Sequence, residues 1–463
     1  MNHNEQNQLE RKQAEALIED YLDRMCKQIR ARALHPELRD EIRIHIEELA
    51  SVQEEAGNSP IEAATWALDQ MGDAKEVGSS LGQIHRPKFN WLLLIPVGLM
   101  MGLGLLALFS LGAAGQGVYE RFNPGLNQLF YFGLSIIAFV VGVFFNYRWL
   151  QKFAVPLYLA TFAFSAVAFF LSDLTMNGLK GWIALGSFIF DWKTCMLLLF
   201  LLTLPGIFQR LQLQNKASLG FRQVLALVAF ISPISLCVYF QLTLSIPFAI
   251  YIVAAATLYV RSGAARLYVY GLPVVSLAGM MVLYFRNEHW QARLHSVLNP
   301  QSSQSYSTNR YYVNDWIASA IREGGWFGQG FGTEVTKRIA THADFILPYF
   351  TYIFGWIAAS ILILCMAWLI VLLTRTVQKI TDSHGKLVAL GLVVFLAGQW
   401  IYAIGASFNV LPTTVISVPF IGYEGSMNLI YFGIFGLILG IYRRKDMIPT
   451  QAISQTSSPM TEK

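Results

Sequence analysis

The sequence predicts an all-α fold: a polytopic membrane protein of about ten transmembrane helices, preceded by a small soluble helical domain. The first observation is composition, because 54% of the 463 residues are hydrophobic and only 14% are charged, whereas soluble domains carry about a quarter. The second is the charge distribution: residues 1–86 hold 17 of the 29 acidic but only 10 of the 34 basic residues. The remainder is apolar and basic, which indicates membrane topology and lipid contact rather than nucleic-acid binding.

Residues 1–86 are predicted to form four short helices. Apolar residues recur at helical spacing between positions 9 and 33, and a second helix follows Pro36. Ser59 and Pro60 fit the N-cap and first position of a third helix. The segment contains neither the apolar core of a signal peptide nor a catalytic cluster. Its layout resembles the HAAS-type domains that precede some bacterial membrane proteins, so we expect a cytoplasmic docking or folding domain with an unknown cytoplasmic partner.

Residues 87–449 are predicted to form the membrane domain, because a transmembrane helix needs about 20 mostly apolar residues. The ten candidate segments are 91–112, 126–147, 151–171, 193–209, 222–241, 244–260, 267–285, 350–373, 387–406 and 426–442. Basic residues cluster in the loops that follow every second segment. By the positive-inside rule, this pattern places both termini on the cytoplasmic side of a bacterial cytoplasmic membrane. Residues 450–463 are predicted to be a disordered cytoplasmic tail.

A large extracellular loop, residues 286–349, separates the seventh and eighth predicted helices. It is too long for a simple connection and carries many charged side chains, which is typical of functional loops. Within it, residues 324–332 contain five glycines. Such a backbone can fold tightly or approach a ligand closely, or it can form a flexible surface loop, and composition favours neither reading.

Asp344 lies two residues after His342, directly before the eighth predicted helix. A carboxylate at a membrane boundary is partly desolvated, which strengthens it as a base. The alternative is that Asp344 caps the eighth helix by accepting hydrogen bonds from the first amides. The four cysteines form no CxxC pair or ligand cluster, so the sequence predicts neither a disulfide nor a metal site.

Five motifs resemble, in order, those of the SEDS family, the FtsW, RodA and SpoVE peptidoglycan polymerases. The matching segments are 178–186 (GxkRWIxlG), Arg293 with Pro300 (RixxfxxP), 324–330 (GGlfGkG), 342–355 (HTDFIFxxxxEExG) and 411–426 (llPvtGipLPfiSyGGS). The sequence departs from the family motifs at four places. The family's QPSE is replaced by DWKT at 191–194, and its EE pair by Tyr352-Ile353. Its SyGGS is replaced by GYEGS at 422–426, and the Asp of its QPDlG motif is missing. The chain therefore resembles a divergent member of that family.

The resemblance implies a glycosyltransferase that polymerises lipid II into glycan strands at the outer face of the membrane. A sugar hydroxyl of one lipid II attacks the anomeric carbon of another, and undecaprenyl diphosphate leaves. Asp344 matches the family residue that acts as the base. Cations must hold the diphosphate as charge builds on it. Arg293 is the first candidate for this role, followed by Lys180, Lys337 and Arg338.

Trp182 and His342 are further substrate-binding candidates by the same resemblance. Trp182 could instead be an interfacial belt residue, and His342 could orient Asp344 or cap a helix. A divalent cation would help to neutralise the diphosphate, although no ligand cluster in the sequence requires one. The family works with a single-span transpeptidase, a class B penicillin-binding protein, so a partner of that kind is expected in cell shape, division or sporulation.

Two other functions stay open at this point. The lost motif residues are also what a non-catalytic scaffold of a cell-wall assembly would show. A flippase for a lipid-linked precursor would need ionisable residues deep within the helices, and the predicted segments contain almost none.

Overall fold

The computed structural model describes residues 3–29, 35–84, 89–114, 123–176, 179–186, 188–213, 219–240, 242, 245–262, 308–333, 345–412 and 418–445. The chain divides into two compact units. The N-terminal unit is Met1–Phe89 with Arg443–Lys463, and the membrane unit is Asn90–Tyr442. The sequence-based domain limits at 86 and 449 stay predictions, and the tail at 450–463 lies outside the described residues.

The N-terminal unit contains the expected four helices. They are α1 (His3–Gln28), α2 (His35–Glu55), α3 (Pro60–Met71) and α4 (Ala74–Ile84). Each is amphipathic and buries one face, with Leu22, Ile46 and Ala63 fully buried in a shared core. The predicted start of α3 is confirmed: Ser59 is its N-cap and forms a reciprocal capping box with Glu62, which satisfies amides that the first helical turn leaves unpaired.

The membrane unit is built almost wholly from helices. They are α5 (Leu94–Ala113), α6 (Pro124–Phe144), α7 (Arg148–Lys152), α8 (Ala154–Leu171), α9 (Trp192–Leu213), α10 (Leu219–Tyr239), α11 (Ile246–Arg261), α12 (Thr308–Gly324), α13 (Ile346–Gln378), α14 (Ser383–Ser407) and α15 (Gly425–Arg443). Over the described ranges, eight are long and apolar enough to cross a membrane, and α11 is a shorter apolar helix. Nine predicted spans therefore coincide with helices, and the seventh, 267–285, lies outside the described residues.

The helices differ in how much of their surface the protein itself covers. Helices α9, α14 and α15 are mostly buried, whereas α6, α8 and α10 leave large apolar side chains exposed along their length. Helix α9 packs against α8, α10, α11 and α14. Exposed apolar surface of this extent suits lipid contact, so the peripheral helices form the lipid-facing surface of a multi-pass membrane protein.

Between α8 and α9 the chain forms a small antiparallel sheet that was not predicted. Its strands are β1 (Leu174–Met176), β2 (Leu179–Leu185) and β3 (Phe188–Asp191), in the order β1-β2-β3. Gly186 has a φ of 64°, which suits the reversal between β2 and β3. Scanning for apolar segments of membrane length misses strands this short. We call the end of the membrane unit that carries this sheet the sheet end.

Candidate functional site

The first part of the site that the structure describes is the start of α13. Phe345 is its N-cap residue and makes no side-chain capping hydrogen bond. The ring centroid of Phe345 lies 6.3 Å from that of Trp316 on α12. The capping alternative predicts Asp344 as the N-cap of this helix, whereas the N-cap is the next residue, Phe345. Asp344 itself lies outside the described residues, as do His342, Arg293, Lys337 and Arg338, so their roles stay predictions.

Helix α13 is broken in its third turn. Gly355 has φ 78° and ψ 178°, far from helical values, so the carbonyls before it and the amides after it lose their helical partners. The carbonyls of Tyr352 and Ile353 instead accept hydrogen bonds from the amides of Gln329 and Gly330, at 2.9 and 3.1 Å. Irregular backbone at membrane depth requires such replacement partners, because an unpaired group in an apolar surrounding costs several kcal/mol.

The pairing continues on the other side of the break. The amide of Trp356 donates to the carbonyl of Gly325 at 2.9 Å, and that of Ile357 donates to the carbonyl of Trp326 at 3.3 Å. We call this pairing of residues 324–330 with residues 352–357 the glycine clamp. The glycine-rich segment therefore approaches the main chain of α13 closely, while its Trp326 and Phe327 side chains are exposed at the surface. Its main chain is held on both sides of the helix break.

Glycine is required in the clamp for steric reasons. A Cβ on Gly355 would lie 2.5 Å from the amide nitrogen of Gly328, and a Cβ on Gly328 would lie 2.6 Å from the amide nitrogen of Phe354. Both glycines also have φ near 80°, where other residues are strained. The family's EE pair falls here on Tyr352 and Ile353, whose carbonyls make the contacts. The clamp therefore survives the loss of those two side chains.

The second part of the site is the sheet, which carries the two predicted site residues that the structure describes. Lys180 on β2 is exposed, and its Nζ lies 5.1 Å from the ring centroid of Phe169. Trp182, also on β2, is only 6% exposed, and Nζ of Lys193 lies 3.6 Å from its ring centroid. Both are cation–π distances. Lys180 is thus accessible at the sheet surface, whereas Trp182 is covered by protein.

An ion pair that sequence reasoning missed lies beneath Trp182. Lys193 donates to Oδ2 of Asp191 at 2.6 Å, and both side chains are buried. The amide and hydroxyl of Thr194 also donate to the Asp191 carboxylate, each at 3.1 Å, so Asp191 caps the start of α9. These residues occupy the segment where the family motif reads QPSE. The sequence signal for this ion pair was the presence of two opposite charges at the first turn of an apolar span.

The ends of α6 and α15 meet the sheet. The Ser426 hydroxyl donates to the carbonyl of Ile189 at 2.7 Å, and the Tyr131 ring lies 6.3 Å from Phe188 and 5.9 Å from Tyr423. Burial, with the neighbouring Tyr131, raises the pKa of Tyr423. Its hydroxyl therefore stays neutral at physiological pH.

The glycine-rich segment reaches the same end of the membrane unit. The amide of Gly332 donates to the hydroxyl of Ser110 at 2.9 Å, near the end of α5, and the Tyr349 hydroxyl donates to the same oxygen at 3.3 Å. A Cβ on Gly112 would lie 3.1 Å from Oδ1 of Asn123, which caps α6. The start of α13, the clamp and the sheet therefore belong to one end of the membrane unit.

In the part of the chain that is described, no three acidic, His or Cys side chains are grouped as metal ligands.

Comparison with known proteins identifies relatives of the membrane unit. Residues 90–447 match the FtsW/RodA/SpoVE family model, described as cell cycle protein. The chain is 28% identical over 422 residues to the peptidoglycan glycosyltransferase RodA of Mycobacterium bovis, covering 86% of this chain and 87% of RodA. It is 26% identical over 361 residues to the probable peptidoglycan glycosyltransferase FtsW of Caulobacter vibrioides, covering 77% of this chain and 89% of FtsW.

Solved structures with the same fold are also found. One, described as a peptidoglycan synthase complex that coordinates polymerization and crosslinking, has a TM-score of 0.60 and 19% identity over 77% of this chain and 98% of its own. RodA of Thermus thermophilus, a rod shape determining protein, has a TM-score of 0.55 and 17% identity over 77% of this chain and 97% of its own. The match over nearly all of the membrane unit establishes that this chain belongs to the FtsW/RodA/SpoVE family of cell cycle proteins.

Proposed function

We propose that this protein is a peptidoglycan glycosyltransferase that polymerises lipid II into glycan strands. The observation that carries the proposal is the match to the family over residues 90–447, which spans every segment where a catalytic motif was found. Relatives of this family are named peptidoglycan glycosyltransferases. The activity is therefore that of an enzyme of the bacterial cell membrane.

The reaction joins two lipid-linked sugars. A hydroxyl oxygen of one lipid II forms a bond to the anomeric carbon of the other, and the bond from that carbon to the diphosphate oxygen breaks. The hydroxyl proton passes to Asp344, and undecaprenyl diphosphate departs with the bonding electron pair. A positioned carboxylate base contributes about 10²- to 10⁴-fold to such a step. The glycine clamp supports this role for Asp344, because it fixes the half-helix that begins just after it.

The leaving diphosphate needs positive charge nearby. Arg293, Lys337 and Arg338 are proposed for this role from their motif positions, with His342 orienting Asp344. Lys180 is supported further because its side chain is exposed on β2. We assign Trp182 to positioning instead of to direct substrate contact, since Lys193 covers its ring. A divalent cation would help to neutralise the diphosphate.

The partner is proposed to be a single-span transpeptidase, a class B penicillin-binding protein. A structural relative is described as a synthase complex that coordinates polymerization with crosslinking, which is the coupling that such a pair would perform. With both termini in the cytoplasm, as the basic loops predict, the sheet end faces outward. The HAAS-like N-terminal unit then lies where it can bind a cytoplasmic partner.

A non-catalytic scaffold remains the second candidate, favoured by the departures at 191–194, 352–353 and 422–426. The test is to incubate purified protein with fluorescent lipid II, with and without a class B penicillin-binding protein, and to resolve the products on a gel. Glycan strands are expected at least in the presence of the partner. Strands absent under both conditions, from protein that still binds the partner, would favour the scaffold.

A further inference from the structure

Helices α6 and α15 pack along a seam with two different halves. Away from the sheet end, small residues bring the backbones together, and a Cβ on Gly440 would lie 2.5 Å from the carbonyl oxygen of Val143. The rings of Phe139 and Phe435 stack there with centroids 5.8 Å apart. Close backbone approach through small residues is a stable way to join membrane helices. This half of the seam is tightly closed.

The half of the seam near the sheet end is polar. Gln128 lies one turn before Phe132 on α6, and Asn428 lies one turn before Phe432 on α15. The rings of Phe132 and Phe432 face each other with centroids 6.1 Å apart. Helical residues four apart share a face, so Gln128 and Asn428 lie on the faces of α6 and α15 that carry Phe132 and Phe432. Nearby, a Cβ on Gly425 would lie 2.8 Å from the Tyr131 ring, which fixes the register. We call Gln128 and Asn428 the amide pair.

The amide pair is fully buried, at 0% exposure, and none of its four polar atoms has a hydrogen-bond partner among the described residues. The hydroxyl of Ser135 on α6 is also fully buried and has no hydrogen-bond partner among the described residues. Leaving a buried polar atom unpaired costs about 1–3 kcal/mol, and native proteins seldom tolerate several together. These atoms therefore offer several hydrogen-bonding positions that the described residues leave unused.

The chemistry of the seam indicates which kind of ligand would suit these positions. A carboxamide offers two N–H donors and a carbonyl acceptor, and neither helix carries a charged side chain before Arg443. A diphosphate would need cations, whereas the charged residue directly before α15 is the acidic Glu424, and a metal ion would need more oxygen ligands than this one carboxylate provides. A neutral ligand with hydroxyl and amide groups fits, and an N-acetylated sugar has both.

We propose that the amide pair is a saccharide subsite, reached when α6 and α15 separate at the sheet end, that binds the sugar portion of the lipid-linked substrate. This proposal rests on the proposed function, because that function supplies the sugar. Gln128 and Asn428 lie only one turn from the starts of their helices, about 5–6 Å along the axis. A small opening at that end is enough to expose them, while the glycine contacts below act as the hinge.

The test compares Gln128→Leu and Asn428→Leu with Gln399→Leu. Gln399 on α14 is also buried and unpartnered among the described residues, so it controls for removing a buried amide. Thermal unfolding is measured for each purified protein alone, with lipid II, and with undecaprenyl diphosphate, which lacks the sugar. Lipid II polymerisation is measured separately.

Apolar replacement of an unpaired buried amide is neutral or stabilising, so all three variants should melt at or above the wild-type temperature without ligand. The amide-pair variants should lose the extra stabilisation that lipid II gives over undecaprenyl diphosphate, and their kcat/KM should fall about tenfold per lost hydrogen-bonded group. Gln399→Leu should keep both the sugar-dependent stabilisation and the wild-type kcat/KM.

Two results would overturn the subsite. One is unchanged sugar-dependent stabilisation in the amide-pair variants. The other is a lower melting temperature without ligand, which would mean that structural water occupies the seam. Different results would refute the saccharide subsite and the proposed function. A wild-type protein that makes no strands but keeps the sugar-dependent stabilisation would end the polymerase proposal alone.

Discussion

At the residue scale, the buried pair of Lys193 and Asp191 holds the sheet to the membrane helices. Asp191 ends β3 and caps α9, while Lys193 covers the ring of Trp182 on β2. A Cβ on Gly181 would lie 2.6 Å from Cδ of Lys193, so the lysine stem fills the space beside that glycine. A buried pair adds little net stability, but removing one partner leaves an uncompensated charge.

Lys193→Met is therefore expected to destabilise the protein by about 3–5 kcal/mol, because Asp191 would stay charged and buried. The double variant Asp191→Asn with Lys193→Met should recover most of this loss, since Asn still caps α9. Melting temperatures of the purified single and double variants measure the effect. Equal destabilisation by the single and double variants would show that the ion pair is not the cause.

Tyr21 provides a pH-dependent contact in the N-terminal unit. Its hydroxyl donates to the carbonyl of Gly72 at 3.0 Å. Burial, with the nearby Asp73, raises the pKa of Tyr21 above its ordinary 10.0. The folded state thus holds the phenol proton more tightly than the unfolded chain. This contribution is complete below pH 10 and is lost as the pH rises through the raised pKa.

Tyr21→Phe should cost about 1 kcal/mol at neutral pH, the value of one neutral hydrogen bond. Above pH 10 the variant and the wild type should converge in stability, because the wild type loses the contact there. Circular dichroism of full-length protein, followed through unfolding at several pH values, measures this. A difference that is constant with pH would contradict the assignment.

At the scale of elements, the glycine clamp joins the glycine-rich segment to the broken helix α13. It divides α13 into a short half, which starts after Asp344, and a long half that crosses the membrane. Main-chain pairs carry the contact, so its geometry depends on glycine at positions 328 and 355. The orientation of the short half is therefore set by the clamp.

Gly355→Ala should destabilise the protein by at least about 1–3 kcal/mol from its left-handed backbone alone, and polymerisation should fall further than the melting temperature explains. Gly133→Ala on α6 is the control, since a Cβ there would meet nothing within 4 Å and alanine favours a helix by about 0.5–1 kcal/mol. Wild-type activity in Gly355→Ala would mean that the clamp does not position the site.

At the scale of the whole molecule, the pattern of apolar segments predicted the helices, because membrane thickness fixes their length. The clamp could not be predicted as a contact. Five glycines marked residues 324–332, but the segment pairs with residues 352–357 through main-chain atoms, and such pairs leave no residue pattern in the sequence. The ion pair of Asp191 and Lys193 was missed for a different reason: its two charges are visible in the sequence, but they stand at motif positions where the family has other residue types.

The seam between α6 and α15 was also invisible in sequence. Gln128 and Asn428 lie in mostly apolar helices that also carry other polar residues, such as Asn127 and Ser426, so no sequence pattern links the two. The order of the motifs between residues 178 and 426 did predict the family, and the family match over residues 90–447 confirms it. Function was thus more readable from the sequence than local contacts were.

The most direct test of the central claim is the rate of glycan-strand formation by Asp344→Asn. The control is Asp173→Asn, which changes an exposed carboxylate at the sheet end that accepts a hydrogen bond from the amide of Ala184. We expect Asp344→Asn to melt like the wild type and to polymerise lipid II about 10²- to 10⁴-fold more slowly, while Asp173→Asn keeps its rate. A wild-type rate in Asp344→Asn would contradict the assignment of the base and the polymerase mechanism built on it.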